Sequence, residues 1–161
     1  MAYSKLIAIC EQVFKCNVEI VNEYTANLRA DRVEEKECFI FPMSKTTRHI
    51  GTINKISGTY GIALVERMPL DYTPSTIEGR VEALTSEFNT LLTSVQRSDV
   101  FILDNREVNF DYGFNKYDGS LLIVRANITL SEYPKAQCVN YEIDLTDTNE
   151  NGSGNSGELH C

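Results

Sequence analysis

Few residues in this 161-residue chain are spaced for chemistry. Glu107 and Asp111 share one parity of an alternating stretch, so a strand would turn both carboxylates to one side, as a glycosidase-like pair needs. The chain has no Trp to form a sugar platform, and nothing else supports that chemistry. Asp104-Asn105-Arg106-Glu107 could place carboxylates at a strand's start, but Asp-Asn is ordinary turn chemistry. Asp144 to Glu150 has the acidity of a calcium loop without the Gly at its sixth position or the Glu at its twelfth.

Histidine and cysteine offer little more. His49 stands in a polar stretch and His160 near the end of the chain, too few for a histidine-based hydrolase or metal site. The cysteines, Cys10, Cys16, Cys38, Cys138 and Cys161, are odd in number, irregularly spaced and without a C-x-x-C pair. A disulfide framework or structural zinc is not expected from that pattern. Phosphate-loop, dinucleotide, zinc-protease and nucleophile-elbow motifs are all missing. No catalytic, cofactor-binding or metal residues are expected, which turns the reading toward a binding or assembly protein.

The net charge of −8 and pI of about 4.8 argue against tight, sequence-independent nucleic-acid binding, which needs clustered Lys and Arg. Part of the acidity is local: residues 141–161 hold Glu142, Asp144, Asp147, Glu150 and Glu158 and no Lys or Arg. No apolar run is long enough to span a membrane. The first residues lack a signal peptide's apolar core, so synthesis in the cytosol is expected.

The elements that must position any site follow from periodicity. Val108, Phe110, Tyr112 and Phe114 alternate with Glu107, Asn109 and Asp111, and Leu122 to Leu130 alternate with Arg125, Asn127, Thr129 and Ser131. A period of two with one buried face predicts paired strands joined at Asp118-Gly119, the central hairpin of an antiparallel sheet. Ile77, Val81, Leu84, Phe88, Leu91 and Val95 recur at steps of three and four and predict a long helix from Ser75 to Val95, with Ser75 and Glu78 as its capping box. A shorter helix is expected over residues 4–15, and strands at 17–21, 38–41 (ended by Pro42), 59–68 and 100–103.

The charged stretch 22–37 reads as a solvated loop, and 44–57, with Lys45, Arg48, His49 and Lys55, as a mobile loop or loose hairpin arm. Cys138 to Leu145 could add an edge strand, and the Gly-, Ser- and Asn-rich 146–161 reads as a flexible acidic tail. The fold class expected is α+β: one domain, a mainly antiparallel sheet covered by two helices, in the order α-β-β-β-α-β-β.

That order resembles the tail terminator, or tail-completion, proteins of long-tailed bacteriophages. The likeness covers roughly residues 4–133 and rests on three features. The strand Cys38 to Pro42 follows a charged loop; the helix Ser75 to Val95 follows a strand ending at Pro69; Val108-Asn109-Phe110-Asp111-Tyr112 and Ala126 to Tyr133 look like paired closing strands. The resemblance implies a virion subunit, assembled in the host cytoplasm, that closes a hexameric ring on the tail tube protein and joins neck or connector proteins. DNA would pass through the lumen, where acidity keeps phosphates from sticking. Arg48, Lys55, Glu107, Asp111, Lys116, Asp118 and Arg125 are the candidates for subunit-contact or lumen residues, although Arg125 against Glu107 or Asp111 could equally be a cross-strand pair. A head–tail connector subunit shares much of this pattern. The rival class is a small cytosolic ligand-binding domain, with Phe110, Tyr112 and Phe114 lining a pocket or, more simply, packing the core.

Overall fold

The computed structural model describes residues 3–49, 55–114 and 120–132. The expected turn at 115–119, the edge strand at 138–145 and the tail at 146–161 lie outside the described residues. The first helix, α1 (Tyr3–Phe14), buries Leu6, Cys10 and Phe14, one residue per turn. Lys15 then adopts a left-handed conformation (φ 53°), with its N–H on the Glu11 carbonyl at 2.9 Å, and so ends the helix ahead of β1 (Asn17–Ile20).

The expected loop at 22–37 is corrected by a helix, α2 (Glu23–Ala30). Asn22 caps it: its side chain accepts from the Thr25 N–H at 2.8 Å while the Thr25 hydroxyl accepts from the Asn22 N–H at 2.9 Å. Only Ala26 and Ala30 face inward, so the helix has almost no apolar periodicity to betray it.

Two long strands follow, β2 (Lys36–His49) and β3 (Lys55–Arg67). Contrary to expectation, Pro42 does not end β2. The register shifts between Phe41 and Lys45, and Pro42, which has no N–H to give a ladder, falls within that irregularity. Next comes α3 (Pro74–Arg97), whose cap is Thr73 and not Ser75: the Thr73 hydroxyl accepts from the Thr76 N–H at 3.3 Å. Pro74 takes the first helical position, where its fixed φ and missing N–H cost nothing. The last described elements are β4 (Phe101–Leu103), β5 (Phe110–Phe114) and β6 (Leu121–Glu132).

Among the described residues six strands run β1-β2-β3-β6-β4, with β5 beside β4 on the same edge of β6. Only β1 and β2 are parallel, with α2 as their crossover; every other pair is antiparallel. The β5–β6 pairing has the expected parity, Tyr112 opposite Val124 and Phe114 opposite Leu122, but β5 lies at the edge and β6 is the interior strand.

Alternate residues of the strands feed two cores. On one face α1 and α3 pack Cys10, Phe14, Leu84, Phe88 and Leu91 against Ile40, Ile62, Leu64, Val124 and Ile128. On the other, α2 and the segment after it pack Ala26, Ala30 and Val33 against Phe39, Phe41, Ala63, Val65, Leu121 and Ile123. The described residues therefore form an α+β fold with a mostly antiparallel sheet and three helices, one more than expected. The second face is a core at the start of β6 and turns polar only from Arg125 onward.

Candidate functional site

Arg125 is the most connected of the expected contact residues. In register it stands between Ala63 on β3 and Asp111 on β5, yet it pairs with neither Asp111 nor Glu107. Its side chain crosses the sheet over Gly61, where a Cβ would come within 3.1 Å of its Nη2. The guanidinium carbon then sits 4.2 Å from the centroid of the Phe41 ring, and Nη1 meets Glu23 Oε1 at 2.9 Å. Three separate elements thus hold one cation, and its visible role is to tie the start of α2 to β6. Glu23, Phe41 and Gly61 carried no sequence signal for this, because the contact exists only across the sheet.

Beside Arg125 lies an open cavity of about 200 Å³, floored by Phe39, Ala63, Val65 and Ile123 and edged by Asp111 and Asn127. Pockets that enclose a drug-sized ligand run to roughly 300–1,000 Å³, so this one has room for a side chain more than for a metabolite. The proposed aromatic lining is also dispersed. Phe110 packs on Phe88 with ring centroids 5.6 Å apart and Phe114 on Tyr72 at 4.7 Å, both toward the α3 face. Tyr112 is 53% exposed and approaches Thr85 on α3 at 3.3 Å.

The remaining candidates do not converge. Glu107 precedes β5 and is exposed, so it shares no strand with Asp111 and the imagined carboxylate pair is not held. Lys116 and Asp118 lie outside the described residues. Arg48 is exposed near the end of β2, opposite Ile56, and Lys55 opens β3 opposite His49. Among the described residues β1 pairs with Glu37 to Ile40 and the β3–β6 register runs to Ser57 opposite Ser131. Beyond Ser57 the described part of the β2–β3 hairpin adds the pairs Arg48–Ile56 and His49–Lys55.

At its root Ser57 Oγ donates to Asp104 Oδ2 at 3.0 Å, Ser131 Oγ donates to the same oxygen, and the Ser57 and Ser131 hydroxyls lie 2.6 Å apart. With Ser131 fully buried, this cluster offers no open nucleophile and instead ties β3, β4 and β6 together. Asn105 belongs to the same corner: its side-chain oxygen accepts from the Thr129 N–H of β6 at 2.5 Å, a long-range bond, while its Nδ2 donates to the Glu107 carbonyl at 3.3 Å, the local contact a turn makes.

Cys10 and Cys38 are buried free thiols in hydrogen-bond contact, with Cys16 half-buried nearby. Burial pushes the Cys38 thiol well up, helped by Cys10, and raises Cys16 from an ordinary 9.0 to about 11. Thiolate is the reactive form, so both should resist alkylation. Peptide-resolved mass spectrometry after iodoacetamide should find Cys16 and Cys38 unmodified in the native protein at neutral pH and modified in urea. Cys16 labelling should rise as pH approaches about 11. The native state holds the Cys16 proton more tightly than the unfolded chain, so its contribution to stability is complete below about 9 and is lost as pH climbs through about 11.

Among the described residues no group of His, Cys, Asp and Glu is placed to hold a metal, and no described helix is long and apolar enough to cross a membrane. Compared with known proteins, the chain matches no family model and no curated sequence.

Proposed function

We propose that this chain is an assembly subunit of a bacteriophage virion, one that closes as a hexameric ring on the end of the tail tube as a tail terminator or at the adjoining neck. The observation that carries the reading is the element order: α1, β1, β2, β3, α3 and the closing β5–β6 pair support the likeness to terminators, with α2 in place of the expected loop. In this reading the partners are copies of the chain, the tail tube protein and the neck proteins. DNA passes the acidic lumen without being held.

Light scattering across a concentration series, with negative-stain images of large species, tests it. Six-fold rings with a central hole are expected. A compact dimer that survives dilution, or a monomer at the highest concentration reached, overturns the reading.

A further inference from the structure

Asp111 and Arg125 are direct cross-strand neighbours in the β5–β6 register, yet they form no ion pair. Opposite charges so placed ordinarily meet. Here the arginine turns away across β3, over Gly61, and both residues line the open cavity of about 200 Å³. They are the charged residues of its described lining.

The two charges differ in state. Arg125 is compensated, with Glu23 Oε1 on its Nη1 at 2.9 Å and the Phe41 ring centroid 4.2 Å from its guanidinium carbon. Asp111 is exposed and has neither an ion pair nor a side-chain hydrogen bond among the described residues. Asn127, exposed on the same rim, leaves its side-chain amide without a hydrogen bond there as well. The site therefore holds an uncompensated carboxylate and a free amide above a floor of apolar carbon.

That arrangement selects among side chains that could enter. A purely apolar one would cover the Asp111 carboxylate without pairing it, at the cost of its lost hydration. An acidic one would meet repulsion from Asp111 and an arginine that already has its anion. A lysine has the complementary build. Its aliphatic stem lies on apolar surface, and its ammonium carries three donors, enough to serve a carboxylate and an amide oxygen together. Size agrees, since a cavity of about 150 Å³ already holds a benzene ring.

We propose that this cavity binds a lysine side chain presented by a protein partner, its stem over Ala63, Val65 and Ile123 and its ammonium on Asp111. The proposal goes beyond the ring reading and does not need it, because the pocket is complete within one copy.

Methyl NMR of the full chain, labelled at alanine, valine and isoleucine, reads the site in a monomer or in a large assembly. Nα-acetyl-lysine methylamide should shift the Ala63, Val65 and Ile123 signals and saturate in the millimolar range. Ile62 and Val124, on the opposite face of the sheet, should stay in place and report an intact fold. Asp111→Asn should weaken binding about three- to fivefold, as loss of an exposed ion pair does, and Asp111→Lys should weaken it further. The norleucine analogue, which keeps the stem without the ammonium, should bind less tightly than lysine. Equal binding of the two analogues, or of lysine to wild type and Asp111→Asn, makes the cavity a plain apolar hollow and overturns the proposal. Tighter binding of the glutamate analogue assigns the site to Arg125 and overturns it too. So does the absence of any shift at the highest soluble lysine concentration. None of these results bears on the ring reading, which the particle mass decides.

Discussion

Phe88→Ala should lower folding stability by about 3–5 kcal/mol. Phe88 is fully buried on α3, and its ring meets Phe14 of α1 at 5.4 Å and Phe110 of β5 at 5.6 Å, both edge to face. Truncation removes the transfer energy of a whole ring and leaves a cavity bounded by three elements from distant parts of the sequence. The backbone around the site is regular helix and strand, so collapse into the void is limited. Urea unfolding checks it: the midpoint should fall sharply, and Tyr112→Ala, which trims a half-exposed ring on the same strand as Phe110, should cost far less. Equal losses for the two would mean that α3 is not seated on β5 as described.

Gly61→Val should cost about 1–3 kcal/mol for a different reason. Even the first added carbon would stand 3.1 Å from Arg125 Nη2 and 3.2 Å from Asn127 Oδ1. The guanidinium must then leave its seat over Phe41 and release Glu23, so the loss combines strain with the freeing of the α2 N-terminus. A double-mutant cycle with Arg125→Ala separates the two. Once the arginine has been removed, the valine should cost clearly less than in the wild type, a coupling of the size seen between residues in contact. Additive losses would show that Gly61 is constrained by something other than the crossing side chain.

Much of this architecture could be read from patterning, and the exceptions have physical causes. The stripe from Ile77 to Val95 gives α3, and the alternation from Leu122 to Leu130 gives β6, because both bury large side chains at the period of their element. α2 escaped because its inward residues are two alanines, which give no apolar stripe; Asn22 with Thr25 was the available signal, a capping box outside the usual Ser/Thr-x-x-Glu form. Pro42 misled because a proline usually stops a central strand, whereas here it sits where the ladder already shifts register. The polar parity of β6 suggested water on the second face, but Leu121 and Ile123 start a second core there. Arg125 was legible as a charged residue on a strand. Its partner, a glutamate 102 positions earlier, was not, since only the folded sheet brings the two together.

The interior position of β6 also decides when the chain can fold. It is the last described strand, and it supplies the partners of β3, β4 and β5 together with residues of both cores. Synthesis proceeds from the N-terminus, so until Leu121 to Glu132 has left the ribosome only the α1-to-β3 portion can pair locally, with one edge of β3 bare. The pairing of β3 with β6 then joins residues such as Gly61 and Asn127 and closes a long loop, the kind of non-local step that slows folding. During that interval an apolar strand edge is open to other nascent chains, and many copies made at once would compete for it.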